Sequence, residues 1–210
     1  MKQLISARSV LLRNGMKFWV GFASLGMLLA TVAETFAGDC AYSVIVSVPD
    51  QKLVVVGNNA PLVEFPVSTS KYGIGDRHGS YTTPLGILEV AQKIGANAPL
   101  GAVFKGRHLT GEILLPNARG RDPIVTRILW LRGLESNNSN AYQRGIYIHG
   151  TPVERSVGTP ASYGCIRMRS RDIVKLFDLV GVGTRIKVLN LPVGRALAQS
   201  SGEQHHLASL

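Results

Sequence analysis

The sequence predicts a mainly β domain, sandwich or barrel-like, with a short helix near its C-terminal end. Short β-branched runs recur along the chain, and glycine (23 residues) and proline (10 residues) punctuate them. Past residue 169 the apolar spacing changes to that of a helix.

The first strands are Ser43–Val48 and Lys52–Val56, joined by Pro49-Asp50-Gln51, residue types that favour a tight turn. Gly57–Pro61 makes the next turn, and Leu62–Ser68 follows as a third strand. Leu53–Val56 is apolar on both sides of the pleat, so that strand is expected to be covered on two faces. Further strands are expected at Gly86–Ala91, Thr126–Leu131, Gly145–His149 and Arg185–Leu189. The helix starts with Ser170 as N-cap and Asp172 in its first turn. Ile173, Val174, Phe177 and Val180 form its apolar stripe, and Gly181 is placed to end it in a left-handed conformation. Ser70–Tyr81 and Ala96–Asp122 read as long surface loops, a length often reserved for lids and binding walls.

The N-terminus is built differently. Lys2, Arg8, Arg13 and Lys17 precede an apolar run from Phe18 to Val32, which ends in small residues before Ala37. A basic start, an apolar stretch short of the ~20 residues that span a bilayer, and a small-residue exit describe a secretory signal peptide. Three segments follow: 1–37 as signal peptide, 38–192 as a single domain and 193–210 as a flexible tail. Export across the inner membrane would place the domain in the periplasm or cell wall. Membrane contact is expected only if the signal stays uncleaved. Removing residues 1–37 takes four basic residues and Glu34, lowering the formal net charge from +10 to +7. In that compartment a basic surface meets anionic envelope polymers, and nucleic acid is not expected as a partner. Cys40 and Cys165 are the cysteines, and a disulfide between them would silence Cys165 if it is reactive.

Chemistry concentrates between Ile148 and Met168, read as IHGTPVERSVGTPASYGCIRM. Cys165 sits among Ser162, Tyr163, Gly164 and Arg167, not in a packed apolar run. Gly164 permits a sharp turn that leaves backbone N–H groups free near the sulfur, where they could hold an oxyanion. A thiol is mostly protonated at neutral pH and needs a base or a cation beside it. His149, at a strand end, can be that base, with the Gly150 backbone carbonyl orienting its ring. Arg167 could lower the thiol pKa or bind a substrate carboxylate. A structural cysteine is the competing reading from the residues alone. Zinc is a third, on Cys165, His149, His78 and His108, but their spacing lacks a C-x-x-C or H-x-x-x-H element.

His149-Gly150-Thr151 followed by Ser162-Tyr163-Gly164-Cys165-Ile166-Arg167-Met168 resembles the signature of the L,D-transpeptidases of the YkuD type. Upstream, VSVPDQKLVVV resembles that domain's opening hairpin, FPVSTSKYG its next strand and TTPLGILEV its Thr-Pro-x-Gly element. The resemblance covers about residues 42–190, with one departure: Tyr163 stands where many members carry histidine. It implies a mainly β domain with the cysteine in a cleft under a mobile loop, acting on peptidoglycan stem peptides without metal or organic cofactor. Cys165 would attack the carbonyl at the L-centre of a diamino acid, and the thioester would pass to a neighbouring stem as a 3→3 cross-link. With the same acyl-enzyme, water as acceptor would make a carboxypeptidase and a lysine of an envelope lipoprotein an anchoring enzyme. An inactive peptidoglycan-binding module is the remaining reading. Tyr72, Ser162 and Tyr163 are expected on the substrate side of the cleft.

Overall fold

The computed structural model describes residues 42–58 and 60–199. The expected signal peptide, Cys40 and residues 200–210 lie outside the described residues.

β1 (Tyr42–Ser47) and β2 (Lys52–Gly57) form the expected antiparallel hairpin. Gln51 turns the chain with φ 50° and is buried. Its amide donates to the Val48 carbonyl and to Thr69 Oγ1, and accepts the Thr69 N–H, which ties the hairpin turn to the loop leading to the site. β3 (Ala60–Pro66) begins and ends two residues earlier than the β-branched run suggests, and a register shift after Val55 accommodates Pro61. β4 (Gly86–Ile94) and β7 (Ile124–Gly133) are longer than expected and pair antiparallel over most of their length.

Between them the region expected as a loop contains β5 (Ala102–Lys105) and β6 (His108–Ile113). Its glycines misled because they serve the hairpin. Gly106 and Arg107 both take positive φ, 56° and 71°, as a two-residue turn of right twist requires. Gly101 lets the chain pass against Leu114, whose carbonyl oxygen would lie 2.1 Å from an added Cβ. β8 (Tyr147–Gly150) pairs β7, and β9 (Ile166–Met168), too short to stand out in the sequence, pairs β8 in parallel. α1 (Ser170–Leu179) follows, and β10 (Arg185–Leu189) inserts between β1, to which it is parallel, and β4.

All ten strands thus join one open mixed sheet, ordered β3-β2-β1-β10-β4-β7-β5-β6 with β8 and β9 branching from β7. Alternation along β7 separates two apolar clusters. Leu129 and Leu131 enter the larger one with Ile148, Ile166, Met168 and the α1 residues Ile173, Leu176 and Phe177. Ile128 enters the smaller one with Phe104 and Tyr147, and Trp130 and Cys165 pack against it. Leu53, Val54 and Val55 are all buried, as the two-sided apolar run suggested.

The helix differs from expectation at both ends. Arg169, not Ser170, is its N-cap residue, and the Ser170 N–H is satisfied by Glu154 Oε1 at 2.8 Å. Val180, not Gly181, is its C-cap, in an extended conformation. Lys93 Nζ donates to the Phe177 and Val180 carbonyls, at 2.6 Å each, so no left-handed residue is needed there. Residues 193–199, within the expected flexible tail, are helical. Pro192 precedes this turn, the Asp50 carboxylate accepts the Val193 N–H at 2.6 Å, and Ala196 is buried.

Candidate active site

β8 and β9 bring the distant halves of the sequence signature together. His149 pairs with Arg167 and Ile148 with Ile166. One rung earlier, the Tyr147 N–H reaches Cys165 Sγ at 3.4 Å. With a period of two, Tyr147, His149, Cys165 and Arg167 share one face, while Ile148, Ile166 and Met168 fill the core beneath. His149 and Cys165 are therefore diagonal neighbours on adjacent strands. Strand spacing and rise put their α-carbons roughly 8 Å apart, within side-chain reach.

The His149 ring is 5% exposed, and its Nδ1 lies 2.8 Å from the Gly150 carbonyl oxygen. A carbonyl only accepts, so Nδ1 carries the proton and Nε2 holds the free lone pair. Burial pushes the imidazole down to about 4, only partly offset by that hydrogen bond. Gly150 owes its identity to the bulge in β7, where the register shifts between Val125 and Ile128 and Thr126 takes φ 72°. There a Cβ on residue 150 would lie 2.5 Å from the Val125 carbonyl oxygen and 3.2 Å from Ile173.

Cys165 is a free, partly exposed thiol. Its sulfur accepts from the Tyr147 N–H and donates to the Gly145 carbonyl, each at 3.4 Å. Burial pushes the thiol up to about 11, opposed by the Tyr147 N–H and by the charge of Arg144. Burial thus disfavours the charged form of each group and opposes a preformed thiolate–imidazolium pair. The resting pair is neutral at pH 7.

The turn before the sulfur is fixed from below. Gly164 has φ 118°, a conformation that favours glycine, and its carbonyl accepts from Thr83 Oγ1 at 3.0 Å. Ser162, expected on the cleft wall, is 1% exposed. Its hydroxyl donates to the Cys165 carbonyl at 2.5 Å and accepts the Gly164 N–H at 3.2 Å. Ser162 supports the turn, and the Gly164 N–H is engaged inside it. Arg167 is 6% exposed, ion-paired with Asp122 and 3.2 Å from Ser156 Oγ. Asp122 also accepts from Thr151 Oγ1, so Arg167 binds the segment after His149 to β9.

Arg144 drew no attention in the sequence, where it stands alone in AYQRG. Its side chain and that of Asp76 are each 4% exposed and pair at 2.6 Å. It also donates to the carbonyls of Gly75, Ser80 and Thr82 at 3.2, 3.0 and 2.7 Å. An added Cβ at Gly164 would lie 3.1 Å from the Thr82 carbonyl oxygen and 3.6 Å from Arg144 Nη2. Arg144 thus holds the 75–82 loop against the 162–165 turn and brings a positive charge toward the sulfur.

Two aromatic groups lie on elements next to Cys165 in the chain or the sheet. In one, Tyr72 and Tyr163 meet Tyr81, which the sequence did not single out. In the other, Arg107 from the β5–β6 turn lies 4.3 Å over Trp130 and 3.3 Å from Tyr147 Oη. Among the described residues no three His, Cys, Asp or Glu side chains gather as a metal site would require.

Comparison with known proteins gives the arrangement a family. The chain is 50% identical over 46 residues to the probable L,D-transpeptidase ErfK/SrfK of Escherichia coli (strain K12), covering 22% of this chain and 15% of that protein. It is 40% identical over 58 residues to the probable L,D-transpeptidase YbiS of the same strain, 28% of this chain and 19% of that one. These matches span less than a fifth of either relative. An L,D-transpeptidase from Mycobacterium smegmatis superposes with a TM-score of 0.45 at 21% identity, covering 71% of this chain and 58% of that one. Such a likeness is too slight to carry weight. The model of the L,D-transpeptidase catalytic domain (YkuD) matches residues 41–188, from the start of β1 to the end of β10, and on that match the chain belongs to the YkuD L,D-transpeptidase family.

Proposed function

We propose that the protein is an exported cysteine L,D-transpeptidase that acts on peptidoglycan stem peptides through an acyl-enzyme at Cys165 and forms 3→3 cross-links. One observation carries this reading: a buried neutral imidazole, its Nε2 lone pair free, shares a sheet face with a free thiol one strand away.

The neutral resting pair dictates the order of events. The sulfur leaves the Gly145 carbonyl by rotating about its side-chain bond and turns toward the substrate carbonyl. His149 Nε2 takes the thiol proton as the S–C bond forms, so no free thiolate need accumulate. The oxygen that gains charge meets backbone N–H groups of the 164–165 turn, with the Gly164 N–H exchanging its Ser162 contact for the stronger acceptor. Collapse expels the terminal D-residue, whose amine takes the proton from His149, and leaves a thioester on Cys165. An amine of a neighbouring stem then attacks. His149 accepts its proton and returns it to the sulfur.

Arg167, held by Asp122, keeps the His149 and Cys165 strands in register, and its charge raises the local potential. Tyr72 and Tyr163 line the donor side of the cleft. Export is supported by the basic and apolar pattern of residues 1–37, and the net charge of +7 that remains without them suits an anionic wall polymer.

The test is incubation of the purified protein with a tetrapeptide stem, followed by intact-mass measurement. A thioester adduct is expected, and Cys165→Ala should abolish it. An adduct that persists in that variant refutes the assignment. With an acceptor stem present, dimeric muropeptide indicates transfer. Free tripeptide would instead assign a carboxypeptidase, and an unaltered bound stem would assign a binding module.

A further inference from the structure

We propose that Tyr72, Tyr81 and Tyr163, rimmed by Lys71, form a platform for the glycan strand that carries the stem peptide, and that the platform takes an N-acetylated amino sugar. This rests on the reading of Cys165 as acting on stem peptides, and it names the part of the substrate that lies beyond the peptide.

The three rings contact one another at centroid distances of 5.5 to 5.8 Å, yet remain 52%, 59% and 58% exposed. Contiguous aromatic surface of this kind on an otherwise polar loop marks an interaction site. It is also held in place. Ser70 Oγ accepts the Tyr72 N–H at 3.0 Å and donates to the Tyr81 carbonyl. The Lys71 N–H donates to the Ser162 carbonyl at 3.2 Å, and Thr83 Oγ1 accepts the Ser70 N–H at 2.9 Å. The Arg144 bonds described above secure the stretch between them. A platform fixed before its ligand arrives loses little entropy on binding.

Its chemistry selects the ligand. The rings offer flat apolar faces with hydroxyl edges. Lys71 Nζ sits 4.6 Å from the Tyr163 centroid and 3.2 Å from its Oη, a cation fixed at the rim. Arg77 and His78 lie in the same loop, and its sole acidic residue, Asp76, is buried against Arg144. Such a surface suits a ring with apolar C–H faces and acceptor groups around its edge, which describes a pyranose bearing acetamido substituents. With Asp76 buried, the loop offers a basic peptide no exposed carboxylate.

The span agrees. Three stem residues between sugar and attacked carbonyl extend at most about 10 Å. Tyr163 stands two residues before Cys165, at most about 7 Å of chain, with a side chain beyond it.

The test has two arms. In the first, the full chain carrying Cys165→Ala is titrated with N,N′,N″,N‴-tetraacetylchitotetraose, with peptide-free glycan strands and with cellotetraose, followed by calorimetry and tyrosine ring resonances. Saturable binding of the acetylated sugars is expected, with at least tenfold weaker binding of cellotetraose. Adding Tyr81→Ala should weaken binding about tenfold, and Tyr81→Phe should retain it. In the second, wild type should form the thioester about tenfold faster from a glycan-linked tetrapeptide than from the free peptide, at substrate concentrations below saturation. Tyr81→Ala should bring that ratio close to one. Absence of saturable sugar binding, equal binding of cellotetraose, or an unchanged ratio in Tyr81→Ala overturns the platform. The two readings fail separately: a peptide thioester without sugar binding sinks the platform alone, while sugar binding without any thioester sinks the transpeptidase.

Discussion

Replacing Arg144 with alanine is the sharpest perturbation of the site that leaves Cys165 in place. The change leaves the Asp76 carboxylate, 4% exposed, with the Asn140 N–H at 2.7 Å as its remaining strong donor. It also strips donors from the carbonyls of Gly75, Ser80 and Thr82. Breaking a buried pair from one side costs about 3–5 kcal/mol, because the charge left behind is uncompensated. For a domain of this size that corresponds to a fall in Tm of about 10 °C. Asp76→Ala should cost a similar amount. The double variant removes both charges, so its loss should fall short of the sum of the single losses by at least about 2 kcal/mol. Urea unfolding of the four proteins at pH 7 measures this cycle. Single losses below about 1 kcal/mol, or losses that add within about 0.5 kcal/mol, would refute the view that Asp76 and Arg144 form one buried latch. Arg144→Ala should also move the Cys165 thiol further up, since its charge opposes the effect of burial.

Iodoacetamide labelling of Cys165 should accelerate about tenfold per pH unit between pH 8 and 10 with a midpoint near 11, and a plateau below pH 8 would show a preformed thiolate. His149 titrates near 6.5 in the unfolded chain and at about 4 in the folded one, so the unfolded state binds more protons between these values. Stability should therefore fall by about 3 kcal/mol as pH drops from about 6.5 to 4, and the wild-type minus His149→Gln difference in denaturation midpoints should follow that curve. Gly150→Ala would bring a methyl group within 2.5 Å of the rigid Val125 carbonyl. A loss of about 2–3 kcal/mol, read by thermal melting, and a displaced His149 are expected, and near-neutral stability would refute the close approach at the bulge.

How much of this the sequence disclosed depended on whether a signal was local. Val44–Val46, Leu53–Val55 and Ile186–Val188 are legible because β-branched residues repeat in runs. β5 and β6 were hidden because Gly101, Gly106 and Gly111 signal a loop wherever they occur, and only the pairing of β5 with β6 and with β7 shows a hairpin joined to the sheet. His149 and Cys165 were legible from their neighbours and from the family signature. Their meeting is a fact of register, set by β8 lying parallel to β9. Arg144 left no trace, since an isolated arginine in a turn looks solvated until three carbonyls and Asp76 are seen to close around it. Ser162 erred the other way, a hydroxyl that looked available for substrate but holds its own turn together.

The insertion of β10 between β1 and β4 has a consequence for timing. The first and last strands of the domain meet in the middle of the sheet, so the sheet is complete only once β10 is in place. Contacts of such large sequence separation form late, and until then β1 and β4 keep unpaired edges. A chain stopped short of Arg185 would join β1–β3 to the strands that bear Cys165 and His149 through the Ser68–Arg167 bridge, without the central strand that also braces them.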